Sequence, residues 1–217
     1  CAAGHPDVYA YTSLITAYVR NSKYRDAVRV FKSMQEEDSC RPTLRTYNVV
    51  LHAYGKLFMP WSKIVALVNS MRQSGIDADE YTYNTLISCC RRGSLHEEAA
   101  EIFREMKERG ILPDNVTYNA LLDVYGKSRR HEEAKGVIRE MEANGFALGI
   151  VTYNSLISAY AKDGLLEEAM ELKEGMEKKG IKPDVITYTT LLSGFEKVGK
   201  DGKSGDVTEW ALNYIKE

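Results

Sequence analysis

A three-residue word returns along this chain at almost constant intervals. Thr-Tyr-Asn stands at Thr46-Tyr47-Asn48, Thr82-Tyr83-Asn84, Thr117-Tyr118-Asn119 and Thr152-Tyr153-Asn154, with variants at Ala10-Tyr11-Thr12 and Thr187-Tyr188-Thr189. Successive marks lie 36, 36, 35, 35 and 35 residues apart. Self-similarity at such a period is the signature of a repeat array, in which each unit is one supersecondary element. With the third residue of the word as position 5, units begin at Val8, Leu44, Glu80, Asn115, Ile150 and Val185. The expected organisation is repeats over 8–43, 44–79, 80–114, 115–149 and 150–184, then a partial unit over 185–217. The two longer units each carry one extra residue, placed near Glu37 to Cys40 and near Pro60-Trp61.

Each unit reads as two helices. Apolar residues at positions 4, 7, 8 and 11 share one helical face. In the third unit they are Tyr83, Leu86, Ile87 and Cys90; in the fourth, Tyr118, Leu121, Leu122 and Tyr125. A polar or Gly-containing break follows, such as Arg92-Gly93-Ser94 or Lys162-Asp163-Gly164. The second helix repeats Ala, an apolar residue and Met, as in Ala99, Ile102 and Met106 or Ala169, Leu172 and Met176. Its stops are Gly110, Gly145 and Gly180, with Pro113 and Pro183 three residues beyond two of them. One helical hairpin cannot bury such a stripe and stacked hairpins can, so the predicted fold is an all-α solenoid of stacked helix-turn-helix repeats.

Composition limits what such an array can do. Hydrophobic content of 44% with 28% charged residues describes a folding chain,. No apolar run approaches the roughly 20 residues that span a bilayer, so no membrane partner is expected. Lys and Arg number 29 against 31 Asp and Glu, a net charge of −2, so any anionic partner must be met by local placement of cations,. Cys1, Cys40, Cys89 and Cys90 form no metal-ligand spacing and read as core thiols in a reducing compartment. His5, His52, His96 and His131 are scattered, and no deaminase zinc signature or phosphate-cradling loop occurs. No catalytic residue, metal or cofactor is expected. Glu97-Glu98, Glu132-Glu133 and Glu167-Glu168 read as a solvated face of the second helices, and Met34, Met71, Met106, Met141 and Met176 as core.

At about 100° per residue, positions 2, 5, 9 and 13 of the leading helix lie opposite the buried stripe. Position 13 is Arg20, Lys56, Arg92, Lys127, Lys162 and Lys197, basic every time. A C-terminal cation complements the helix macrodipole. A cationic column of one charge per repeat also suits the phosphates of a nucleic acid. Position 5 is Thr12, Asn48, Asn84, Asn119, Asn154 and Thr189, and the last residue of each unit is Thr43, Asp79, Asp114, Gly149 or Asp184. Both columns suit helix capping, while an amide that donates and accepts also matches the mixed edge of a base. Position 2 is Tyr9, Arg45, Tyr81, Val116, Val151 and Ile186, side chains that either pack on a neighbour or lie flat on a base. The tyrosine at position 4 belongs to the core.

Units reading VTYNxLI…AY…G…EEA…F…M…G…PD closely resemble pentatricopeptide repeats, most fully from Leu95 to Asp114 and from Ile150 to Asp184. Unbroken 35–36-residue spacing is similar to the P class. The resemblance implies a right-handed solenoid that binds single-stranded RNA, one base per repeat, in a chloroplast or mitochondrion, without enzymatic activity. It implies that position 5 and the last residue select the base and that position 2 sandwiches it. Asn48/Asp79, Asn84/Asp114 and Asn154/Asp184 then imply uracil. Asn119/Gly149 implies a weakly discriminated pyrimidine, Thr12/Thr43 a purine, and Thr189 has no assignable partner. With N-terminal repeats at the RNA 5′ end, the implied core is 5′-(purine)-U-U-(pyrimidine)-U-3′. The alternative is a solenoid scaffold that grips a protein segment.

The ends depart from the pattern. Pro6-Asp7 resembles the close of an earlier unit, and the first residues form neither a basic nor an apolar leader. After Lys200 the expected second helix gives way to Asp201–Glu217, where Val207, Trp210, Ala211, Tyr214 and Ile215 fall at helical spacing. A piece of a longer array is the expectation, its last residues forming either a capping helix or a junction to sequence that does not continue the repeat.

Overall fold

The computed structural model describes residues 7–37, 40–91 and 95–199, with residues 198 and 199 by backbone alone. The expected break at Arg92-Gly93-Ser94 and the apolar residues after Asp201 lie outside these residues. Eleven helices and no strand occur among the described residues: α1 Val8–Arg20, α2 Tyr24–Glu36, α3 Leu44–Lys56, α4 Trp61–Gln73, α5 Glu80–Cys89, α6 His96–Glu108, α7 Asn115–Lys127, α8 His131–Ala143, α9 Ile150–Lys162, α10 Leu166–Lys178 and α11 Val185–Gly199. The odd-numbered helices begin at the six residues where the repeated word opens its units. The four-residue link between α3 and α4, against three between α1 and α2, holds the extra residue near Pro60.

The chain divides into two compact bodies, one holding α1 to α5 and nearly all of α6, the other α7 to α11. In the first, α1 packs on α2 and α3, and α3 packs on α4 and α5. In the second, α7 packs on α8 and α9, and α9 on α10 and α11. Leading helices thus lie against one another as a layer within each body, with second helices behind them. This is the stacked-hairpin arrangement of an α-solenoid.

The apolar columns make the core. Tyr47, Tyr83, Tyr118 and Tyr153 at position 4 are buried, as are Leu86, Leu121 and Leu156 at position 7 and all five repeat methionines. Buried phenols need a partner, and they find it on the second helix. The Tyr83 hydroxyl donates to Glu105 Oε1 at 3.0 Å and Tyr118 to Glu140 Oε1 at 3.3 Å. Arg72 and Arg109 also hold Glu105, at 2.6 and 2.9 Å, which fastens the second hairpin to the third. Burial, followed by the bond to Glu105, pushes the Tyr83 phenol up to about 12. Cys90 is fully buried, and burial pushes the Cys89 thiol up to about 11, so these thiols serve as packing groups.

Four of the five second helices, α4, α6, α8 and α10, stop at glycines in the left-handed region: Gly75, Gly110, Gly145 and Gly180 have φ between 72° and 81°. The following amide then bonds back to the buried methionine five residues earlier, as in Ile111 N to Met106 O at 3.0 Å. A β-carbon opposes this conformation by roughly 1–2 kcal/mol, which explains the glycine column.

Candidate nucleic-acid interface

The N-terminus of each leading helix builds the site. In a helix the first amides have no internal partner, and a short oxygen-bearing side chain at the N-cap satisfies one of them. The last residue of a repeat holds that place for the next leading helix. Asp79 Oδ1 accepts from Thr82 N at 2.8 Å, Asp114 Oδ1 from Thr117 N at 2.8 Å, and Asp184 Oδ1 from Thr187 N at 2.9 Å. Thr43 performs the same service for Thr46 at 3.4 Å, and Gly149, lacking a side chain, caps nothing. The threonines Thr46, Thr82, Thr117 and Thr187 answer in return, Thr82 Oγ1 accepting from Asp79 N at 3.2 Å. Capping therefore accounts for the acidic column, whatever else it does.

These caps also meet the position-5 amides of the preceding repeat. Asn48 Nδ2 donates to Asp79 Oδ1 at 3.1 Å, and Asn154 Nδ2 donates to Asp184 Oδ1 at 3.0 Å. On the other side of each amide, Thr82 Oγ1 lies 2.7 Å from Asn48 Oδ1 and Thr187 Oγ1 lies 2.6 Å from Asn154 Oδ1. Position 5 is thus not the free polar tip expected from the helical wheel. Thr12, Asn48 and Asn154 are buried, and Asn119 accepts from Thr152 Oγ1 of the next hairpin at 2.9 Å. The reason is geometric: position 5 lies beside the stacking stripe, where the adjoining leading helix closes over it. Thr12 engages Thr46 in the same way at 2.8 Å, whereas Thr189 is exposed and donates to Val185 O of its own helix at 2.7 Å. Asn84 is half-buried.

Two of the carboxylates, Asp79 and Asp184, are held ionised. Burial opposes ionisation of Asp79, but hydrogen bonds from the Thr82 hydroxyl, the Thr82 amide and Asn48 outweigh it and hold the carboxyl below the usual range. For Asp184 the Thr187 amide does most, with Asn154 and the Thr187 hydroxyl adding to it. The three side-chain bonds that Asp79 accepts all fall on Oδ1. Oδ2 has none of them.

Position 2 is exposed throughout. Tyr9 is 78% exposed, Tyr81 52%, Val116 57%, Val151 75% and Ile186 60%, and Arg45 is exposed as well. One uncovered apolar or planar side chain per repeat is not what packing against a neighbour would leave. Position 13 is exposed at Arg20, Lys56, Lys127, Lys162 and Lys197; Arg92 lies outside the described residues. Each of these cations sits in the last turn of its helix, so the macrodipole is complemented too. Lys197 Nζ donates to the Lys162 carbonyl at 3.0 Å, which brings the cations of adjoining repeats together.

Two groups of residues beyond those columns shape the site. The threonines Thr46, Thr82, Thr152 and Thr187 bind the position-5 side chains, and their signal was the first letter of the repeated word itself. Asp123, at position 9, pairs with Lys127 at 3.0 Å. His52, at the same position in the second repeat, is pushed below the ordinary imidazole range, mainly by burial and secondly by Lys56.

Stacked helical hairpins with an exposed position-2 side chain, an amide or hydroxyl at position 5 and a basic residue at position 13 define a helical-repeat protein. The Pentatricopeptide repeat domain profile matches residues 5–57 and 66–128, more than half of the chain; the PPR repeat family profile matches 148–197 and the PPR repeat profile 116–146. The chain belongs to the pentatricopeptide repeat family. A chloroplastic pentatricopeptide repeat-containing protein of Arabidopsis thaliana is 44% identical over 99 residues, which is 46% of this chain and 12% of that protein. The chloroplastic pentatricopeptide repeat-containing protein 10 of Zea mays is 42% identical over 93 residues, 43% of this chain and 12% of that protein. The matched stretches therefore span about an eighth of the length of these relatives. The crystal structure of the maize protein PPR10 superposes with a TM-score of 0.78 at 39% identity, covering 96% of this chain and 30% of that one. The same protein in complex with an 18-nucleotide psaJ RNA element gives 0.64 at 35% identity, covering 96% and 33%.

Proposed function

We propose that this chain binds single-stranded RNA with base selectivity, one base per repeat, as a passive blocker or recruiter in a chloroplast or mitochondrion. The six repeats, five complete and the last partial, are its reading units. The observation that carries this reading is the Asn48–Asp79 pair, repeated at Asn154–Asp184. In each, an amide and an ionised carboxylate meet at the N-terminus of a leading helix, beside an exposed position-2 side chain. Uracil presents an N–H between two carbonyl oxygens. Asp79 Oδ2 can accept from that N–H, and the second N–H of Asn48 can donate to a carbonyl. Cytosine places a lone pair where uracil has the proton, so an ionised aspartate disfavours it. Tyr9, Arg45, Tyr81, Val116, Val151 and Ile186 supply faces for the bases, with about 1–3 kcal/mol per base for the aromatic ones. Arg20, Lys56, Arg92, Lys127, Lys162 and Lys197 neutralise phosphates.

The favoured core is 5′-(purine)-U-U-(pyrimidine)-U-3′, in the order Thr12/Thr43, Asn48/Asp79, Asn84/Asp114, Asn119/Gly149 and Asn154/Asp184. Support comes from the capped pairs, the exposed position-2 column and the likeness to a relative crystallised with RNA. Selection from randomised short RNA by the wild-type chain and by Asn84→Thr tests it. The expected result is a pyrimidine-to-purine change at one register only. With six phosphates engaged, log K falls against log salt with a slope of about −4. A scaffold for a protein segment would give neither the uracil preference nor that slope, and that pair of results would overturn the proposal.

A further inference from the structure

Resting on that reading, we infer that the position-3 threonines Thr46, Thr82, Thr152 and Thr187 are specificity-positioning residues, which orient the reading side chain of the preceding repeat without themselves touching RNA. Four contacts carry this. Thr82 Oγ1 lies 2.7 Å from Asn48 Oδ1, Thr187 Oγ1 2.6 Å from Asn154 Oδ1, Thr152 Oγ1 2.9 Å from Asn119 Oδ1, and Thr46 Oγ1 2.8 Å from Thr12 Oγ1. Thr46, Thr82 and Thr187 are fully buried, so a nucleobase has no access to them.

The orientation follows from donor and acceptor counting. A primary amide has a donating end and an accepting end, and a flip of the group exchanges them. An ionised carboxylate only accepts, so Asp79 and Asp184 each draw the amide nitrogen. Each threonine oxygen already accepts from the cap amide, Asp79 N at 3.2 Å and Asp184 N at 3.1 Å, which directs its proton elsewhere. The proton lies between the amide oxygen and the carboxylate oxygen, which is 2.7 Å away for Thr82 and 3.0 Å for Thr187. The amide oxygen is thereby turned inward, and the remaining N–H is the group left for a base. Without the hydroxyl, a buried amide oxygen would be unpaired, an unfavourable state, and the amide would be held by the carboxylate at its nitrogen alone. An amide no longer fixed at both ends presents its remaining N–H less sharply, and the preference for a carbonyl-bearing base edge weakens.

This arrangement also gives the repeated word a physical meaning. Threonine at position 3 serves two repeats: its oxygen completes the cap of its own helix, and its proton sets the reader of the one before. Tyrosine at position 4 locks the hairpin, and asparagine at position 5 reads. At Asn119, Thr152 supplies the hydroxyl while Gly149 stands in place of the carboxylate, so among the described residues the amide is held at its oxygen end.

The test compares Thr82→Val, which keeps shape and loses the hydroxyl, with Thr82→Ser, which keeps the hydroxyl. The full chain is titrated with single-stranded RNAs that differ only at the base assigned to Asn48. Wild type and Thr82→Ser should prefer uracil alike, while Thr82→Val should lose at least about fivefold of that preference with binding of the other registers retained. Thr187→Val should do the same at the Asn154 register only. A wild type that prefers uracil and a Thr82→Val that prefers it equally would overturn the positioning role and leave RNA reading intact. A wild type with no preference at that register would overturn the reading and this inference together. A second measurement needs neither RNA nor a folded valine variant. In the nitrogen-proton NMR spectrum of the wild type, the two Asn48 side-chain protons should be widely separated and one of them slow to exchange. An averaged, fast-exchanging pair would overturn the inference.

Discussion

Asp123 Oδ2 stands 3.0 Å from Lys127 Nζ, one turn apart on α7. The cation of the fourth repeat is thus partly neutralised from within its own helix, unlike Lys162, whose position-9 neighbour is Ser158. The pair lies near the surface and contributes no more than about 1 kcal/mol to folding, so its removal leaves stability almost unchanged. Asp123→Ser should tighten RNA binding several-fold at low salt and steepen the salt dependence by up to about 0.7 in slope, one more phosphate-neutralising charge. A salt titration of both proteins checks it; parallel lines would show that Lys127 meets no phosphate.

Gly149 is the place where the reading pair is incomplete. Its backbone is extended, with φ −85° and ψ 165°, and a β-carbon built there meets nothing within 4 Å. An aspartate fits without strain and can cap α9 through Thr152, as Asp184 caps α11 through Thr187. Gly149→Asp should raise stability by a few tenths of a kcal/mol, the usual difference between glycine and a side-chain cap. It should also turn a weak pyrimidine preference at the fourth register into a uracil preference. Selection from RNA randomised at that base reads the second effect, and thermal unfolding the first.

The repeat period made the helical hairpins legible because the stacking stripe is written in residue types that tolerate little else. Tyrosine at position 4, leucine at position 7 and methionine in the second helix are buried wherever they recur in α3 to α10. The face opposite that stripe was legible only in part. Positions 2 and 13 are exposed as the helical wheel requires, but position 5 sits on the margin, and its burial depends on how closely the adjoining helix approaches. A wheel drawn for one helix contains no neighbour, so the Asn48–Thr82 and Asn119–Thr152 contacts could not be read from it. Asp123 was hidden for another reason: position 9 holds Thr16, His52, Ser88, Asp123, Ser158 and Ser193, a column with no common chemistry.

The capping carboxylates set an acid limit. Both Asp79 and Asp184 are held below the ordinary aspartate value of about 3.9, through the bonds from Thr82 and Asn48 in one case and from Thr187 and Asn154 in the other. A group with a depressed folded-state value contributes stability above its unfolded value and loses it as pH falls through the folded one. Their contribution should therefore be complete from neutral pH down to about 5 and fade below about 4. Asp79→Asn cannot titrate, so its thermal midpoint should lie below that of wild type at pH 7 and approach it at pH 3. A constant gap across that range would contradict the assignment.

Glycines inside helices give the last prediction, because the same substitution should act with opposite sign at two of them. Gly194, in the middle of α11, is buried where that helix crosses α9. A β-carbon there would lie 2.8 Å from Ala161 Cβ, 2.9 Å from Leu166 Cδ2 and 3.4 Å from Ala161 Cα. Side-chain rotation relieves the leucine but not the alanine, so α11 must move away from α9. Gly136, in the middle of α8, has nothing within 4 Å of its would-be β-carbon. Alanine there only narrows the freedom of the unfolded chain and favours the helix. Gly194→Ala should cost about 1–3 kcal/mol, the usual penalty of overpacking, and Gly136→Ala should gain about 0.5–1 kcal/mol. Denaturant unfolding of the two variants beside wild type measures both. A stabilised Gly194→Ala would mean that α11 and α9 do not approach as closely as described, and the Asn154–Thr187 contact, which depends on that approach, would fall with it.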